Sequence, residues 1–145
     1  MIRTVLVAAG LVVTLSTVIA QSDPIAERRN TMKGVGAATR DGAAMAKGEA
    51  AFDAAKSENI FKVYVDAAKK MPGLFPDTAK TGGESTAGPK IWDDPAGFKA
   101  GFAKLETEAT VAAASATKDL DSFRAAFGNV TKNCGACHEV YRIKK

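Results

Sequence analysis

Two cysteines and the single histidine of this sequence stand together near its end, in the run Cys134-Gly135-Ala136-Cys137-His138. On a helix, positions i, i+3 and i+4 share one face, so both thiols and the imidazole point the same way. Cys-x-x-Cys-His is the attachment motif of c-type haem. The thiols add to the two vinyl groups of the ring as thioethers, and a neutral imidazole reaches the iron. The motif therefore predicts one covalently bound haem c with its iron per chain. Cys134 and Cys137 are the covalent attachments and His138 is the proximal axial ligand. Other uses of these residues fare worse. A disulfide between them would close too small a loop to add much stability. A thioredoxin-like pair needs a strand–turn–helix setting, and a zinc site lacks a fourth nitrogen or sulfur ligand.

The other end of the chain bears on the same chemistry. Met1-Ile2-Arg3 is followed by an uncharged apolar run from Val5 to Ala20, with small residues at Val18 and Ala20. This is the pattern of a signal peptide, residues 1–20 cleaved after Ala20, and it is too short and wrongly flanked to span a membrane. Removing 20 of the 145 residues leaves 125, a single domain over 21–145, and loss of Arg3 takes the formal charge from +4 to +3. Export to the periplasm suits a haem that is attached after translocation. The size excludes a multidomain enzyme, and the lack of a second long apolar stretch excludes a membrane channel. Lysines spread along the chain, not clustered with aromatics, give no reason to expect nucleic acid.

The elements that must position the motif read as helices. Asp23 and Pro24 mark a helix start, and Ile25, Arg28, Met32, Val35 or Gly36 and Thr39 follow at helical spacing to about Lys47. Gly34 and Gly36 inside that helix call for a reason, such as close approach of another helix or a bulky ligand. A second helix runs between Asp53 and Met71, stopped by Pro72 and Gly73. The connection to about Pro95 is too long for an idle loop, and Leu74, Phe75, Ile91 and Trp92 are placed to tack it across one end of a bundle. A third helix carries Phe98, Phe102, Leu105 and Ala109. A fourth carries Leu120, Phe123, Phe127, Val130, Cys134, Cys137, His138 and Tyr141. The expected fold is all-α: an antiparallel four-helix bundle with a long crossover between helices two and three.

With these residues in view, the chain resembles the class II c-type cytochromes, the cytochrome c′ and cytochrome c-556 proteins. The run from Ala125 through Cys137-His138 to Arg142 resembles their C-terminal helix. Pro72-Gly73-Leu74-Phe75-Pro76 and Pro89-Lys90-Ile91-Trp92 resemble their second-helix stop and crossover, and Ile25 to Lys33 resembles their first helix. The resemblance implies further roles. Met32 falls where the c-556 type places its distal axial iron ligand and cytochromes c′ place Leu or Phe. Read from spacing alone, Met32 is core filler. Met45, 13 residues on, is about 20 Å further along a straight helix, and Met71 beside Pro72 is expected to lie away from the haem. If Met32 faces the iron, Gly36 one turn on leaves room for the ring. Arg28 falls where the family contacts a haem propionate, and Arg142 resembles the arginine beside the proximal imidazole. Trp92 and Tyr141 read as packing residues.

Met32 favours electron transfer by a six-coordinate, low-spin His/Met haem over the alternative, a cytochrome c′-like protein binding nitric oxide at a five-coordinate, high-spin haem. An enzyme such as a peroxidase lacks support, since His138 is already committed. The expected partners are redox proteins met transiently, with Lys132, Lys144 and Lys145 as cations that could steer an acidic one. The resemblance also implies the option of a homodimer through the first two helices.

Overall fold

The computed structural model describes residues 23–115 and 118–144, so the expected signal peptide lies outside the described residues. Each long helix begins where the sequence supplies an acceptor for its free amides. The Asp23 carboxylate accepts from Ile25 N–H at 2.9 Å to open α1 (Pro24–Lys47), with Pro24 in the first turn. Asp53 accepts from Lys56 N–H at 2.9 Å to open α2 (Ala54–Lys70). After the short α3 (Lys90–Asp93), Asp94 accepts from Gly97 N–H at 3.0 Å at the start of α4 (Pro95–Ser115). Asp119 accepts from Ser122 N–H at 2.7 Å to open α5 (Leu120–Tyr141). Gly48 closes α1 in the left-handed conformation, φ 79°, where a side chain would be strained.

Neighbouring long helices run antiparallel. The end of α2 (Ala68), the following Met71, and the start of α4 (Phe98, Phe102) share one buried cluster, and Met32 from the first half of α1 and Cys137 and Tyr141 from the end of α5 pack against it. The second cluster, at the other end, joins Met45, Ile60, Phe61, Tyr64, Ala109, Phe123, Phe127 and Val130. Residues 71–94 form the crossover, with 3-10 turns at Met71–Leu74 and Asp77–Ala79 ahead of α3. The expected tacks hold: Ile91 is buried, the Phe75 and Phe98 rings lie 4.7 Å apart edge to face, and Trp92 Nε1 donates to the Phe75 carbonyl at 3.1 Å. Trp92 thus packs while its N–H is satisfied.

The glycines of α1 divide differently from the sequence reading. A Cβ at Gly34 would meet nothing within 4 Å, so no neighbour explains it. The close helix approach is at Gly42, where a Cβ would lie 2.9 Å from Phe127 Cζ and nearer still to Cε2, so α1 and α5 meet there backbone against ring.

Candidate haem site

Between the two clusters lies a cavity of about 960 Å³, at the upper end of the roughly 300–1,000 Å³ usual for small-molecule sites. All four long helices and the crossover wall it. Cys134, Cys137 and His138 line it together from α5, and Met32, Gly36 and Arg28 line it from α1. Arg142, just past the end of α5, completes the set expected from sequence. Val35, Leu105, Phe98 and Phe102 make much of the wall apolar. Gly36 is where the cavity needs it, since a Cβ there would meet only Arg40 Nη1, at 3.8 Å.

One expectation is corrected. Met71 lies on the cavity wall with only 5% of its surface exposed. The reason is local: the chain does not leave the bundle at Pro72 but winds into a 3-10 turn over Met71–Leu74, which keeps Met71 inside the cluster that Met32 packs against. Met45, by contrast, is buried in the far cluster and does not reach the cavity.

The electrostatics suit a neutral ligand beside a bound anion. Burial holds the His138 imidazole below its ordinary pKa, and the nearby Arg142 charge lowers it further. The uncharged form, the one able to bind a metal, is therefore favoured. Burial also pushes the Cys134 and Cys137 thiols up, Cys137 additionally through Cys134. Both cysteines are free. Arg28 is 94% withdrawn from solvent (6% exposed). Its Nη2 donates to the Ala79 carbonyl at 2.9 Å and its guanidinium lies 4.5 Å from the Phe75 ring centre, but Nη1 is buried without an acceptor among the described residues. A buried guanidinium N–H left unpaired costs on the order of 1–3 kcal/mol or more, so this position on the cavity wall suits an acceptor such as a carboxylate.

Two features escaped the sequence reading. Tyr64, placed only on an apolar stripe, lines the cavity, and Thr39 Oγ1 lies 2.9 Å from its hydroxyl. Thr39 gives its proton to the Val35 carbonyl at 2.8 Å, so the tyrosine donates. Burial pushes the Tyr64 pKa up to about 12, against the smaller opposing effect of the Thr39 bond, and it stays a neutral donor. A buried Tyr hydroxyl usually has such a partner, which was the available signal. The second is the segment from Glu84 to Ala87, which lines the cavity from the crossover. It is held to α1 by the Arg29–Glu84 ion pair, and at the other end by Gly88 N–H donating to the Tyr141 carbonyl (2.8 Å) and Ile143 N–H to the Thr86 carbonyl (2.9 Å). Tyr141 does more than pack: its hydroxyl donates to Asp94 Oδ2 at 3.1 Å, joining α5 to the cap of α4.

The donor set fits a haem. Two thiols and an imidazole on one helix face meet a large apolar cavity, and an unpaired buried guanidinium N–H matches a carboxylate on the ring's edge. Among the described residues no group of three His, Cys, Asp or Glu side chains could hold a bare metal ion. A helical bundle with this site is a bundle-type c cytochrome. The chain belongs to the cytochrome c′ family, whose model, described as Cytochrome C′, matches residues 23–142. It is 48% identical over 138 residues to a cytochrome c′ of Rhodopseudomonas palustris, covering 94% of each chain. It is 37% identical over 149 residues to a cytochrome c-556 of the same organism, covering 100% of this chain and 99% of the other. A solved structure of cytochrome c′ from Rhodopseudomonas palustris matches at TM-score 0.82 and 46% identity, covering 86% of this chain and 99% of that one. Covalently attached haem c with its iron is the cofactor of this family.

Proposed function

We propose that this protein is a periplasmic electron carrier in which Cys134 and Cys137 tether a single haem c, with His138 as proximal and Met32 as distal axial ligand. The observation that carries this reading is that Met32, from α1, and His138, from α5, line one cavity. The bound haem supplies a one-electron ferric–ferrous couple. The chain's own residues do the rest. Met32 and His138 would both hold the iron in either oxidation state, which would keep reorganisation on electron transfer small. The Arg28 Nη1 proton finds its acceptor in a propionate through a charge-assisted bond. Arg142 adds positive charge beside the imidazole, which favours the ferrous state. The apolar wall limits water. No residue of this site is assigned a catalytic role, and the domain is the segment 21–145, exported by the signal 1–20. Among the described residues no helix is long and apolar enough to cross a membrane. The partners are redox proteins met transiently, and a homodimer through the first two helices is the option that the family resemblance implies.

A second reading has a specific observation behind it: the relative at 48% identity is named cytochrome c′ and the one at 37% cytochrome c-556. In that reading the iron is five-coordinate and high-spin, and takes up nitric oxide. Optical spectra of the ferric and ferrous holoprotein separate the two. A low-spin spectrum that Met32→Leu converts to high-spin, with new carbon monoxide binding, supports the carrier. A high-spin spectrum in the unmutated protein gives the gas-binding reading the lead. A low-spin spectrum unchanged in Met32→Leu assigns the sixth position to another side chain, for which Met71 is on the wall.

A further inference from the structure

Charge around the cavity is one-sided. Five cations line it, Arg28, Arg29, Lys33, Arg40 and Arg142, against one carboxylate, Glu84. Of the five only Arg28 is buried; the other four and Glu84 are exposed. Arg29 pairs with Glu84, but Lys33, Arg40 and Arg142 have no carboxylate partner among the described residues. The other seven ion pairs, such as Lys62–Glu58, Lys69–Glu106 and Arg124–Asp121, lie away from the cavity. Arg29, Lys33 and Arg40 follow one another along one stripe of α1, with Gly36 between them. The two propionates of a haem and Glu84 together balance three of the five cations, so two positive charges remain at the mouth.

From this distribution we propose that the cavity mouth, formed by Arg29, Lys33 and Arg40 of α1 with Arg142, is the docking surface for an acidic redox protein. This rests on the carrier reading above and names the partner's chemistry. The cations span 12 residues of α1, Arg29 to Arg40, about 16 Å, and continue onto the end of α5. That is the extent of a protein patch and more than a small anion covers. Like charge opposes pairing of two copies of this chain through the same face. The surface differs from the one read from sequence: Lys132 lies in a separate groove between α4 and α5, beside Glu108 and Val111. Oriented charge of this kind accelerates encounter and is screened by salt.

The test uses the purified holoprotein and reduced flavodoxin, an acidic one-electron protein, as the probe. Stopped-flow absorbance follows reduction of the ferric protein as salt is raised. The rate constant should fall about tenfold between low and physiological-to-high salt. The Lys33→Glu/Arg40→Glu double variant should be about tenfold slower at low salt and converge with the parent at high salt. Lys132→Glu, a change of two charges elsewhere that matches the double Gln variant below, should stay within about twofold. An unchanged visible spectrum in each variant verifies that the haem site is intact, and Lys33→Gln with Arg40→Gln, about half the charge change, should give an intermediate slowing. Salt-independent rates, or equal slowing by Lys132→Glu, would overturn the proposed surface. A low-spin spectrum with salt-independent rates sinks the surface alone. A high-spin spectrum with the predicted salt dependence sinks the carrier reading and leaves the surface standing.

Discussion

The two glycines of α1 provide a paired test of where the cofactor lies, because the same substitution should act with opposite sign at positions two residues apart. In a helix interior Gly is about 0.8–1.0 kcal/mol less favourable than Ala, and Leu is close to Ala. Gly34 is exposed and a Cβ there would meet nothing within 4 Å. Gly34→Leu should therefore stabilise the holoprotein by about 0.8 kcal/mol, a rise of about 3 °C in Tm for a chain of this size. Gly36→Leu gains the same helix term. Its side chain, however, meets only Arg40 Nη1 at 3.8 Å on the protein side and otherwise enters the cavity. With a ring occupying that space, overpacking costs about 1–3 kcal/mol, which outweighs the helix gain. The assay is thermal unfolding of the holoprotein, read beside the haem-to-protein ratio and the visible spectrum. Gly34→Leu should raise Tm and leave the spectrum alone, and Gly36→Leu should lower Tm and either haem content or ligation. If both variants are stabilised with identical spectra and full haem, the ring does not lie against Gly36 and the assignment of this α1 face is wrong.

Other perturbations follow from the same geometry. Gly42→Ala should destabilise by about 1–3 kcal/mol in denaturant unfolding, because the new methyl meets the buried Phe127 ring; a neutral result would mean that α1 and α5 separate freely. Asp94 sets an acid limit. The Gly97 N–H first, and the Tyr141 hydroxyl second, hold its carboxyl below the ordinary carboxylate pKa. A depressed folded-state pKa contributes stability that is present above the ordinary carboxylate pKa and lost as pH falls through the depressed one. Tm should therefore drop on acidification below about pH 4, and Asp94→Asn should flatten part of that drop while lowering Tm at neutral pH. An identical acid profile in Asp94→Asn would remove Asp94 from the explanation. Replacing both Cys134 and Cys137 by Ala should leave little stable holoprotein, measured as haem retained after acid-acetone extraction; full retention would mean that the ring is not held by thioethers.

Features that depend on residues close together along the chain were legible before any fold was known. The spacing of Cys134, Cys137 and His138 puts three donors on one helical face whatever that helix packs against. Asp23 with Pro24, Asp53 and Asp119 set the helix starts through bonds to amides two or three residues away. Proline and glycine between Pro72 and Pro95 showed that the chain must cross over before a third long helix. The tertiary structure alone decided what depends on how the helices sit against one another. Met71 faces the cavity because a 3-10 turn carries the chain past Pro72 without leaving the core, a choice fixed by contacts with Phe98, Phe102 and Met32. Gly42, and not Gly34, is the point of close approach because Phe127 lies across from it, a pairing set by the relative shift of α1 and α5. Arg28 was legible as a residue on the Met32 stripe, and the family resemblance implied a propionate contact, but only packing shows Ala79 and Phe75, from the distant crossover, closing over it and leaving Nη1 unpaired. Periodicity reports which residues share a face of their own helix; which groups meet across the cavity follows only once all five segments have packed.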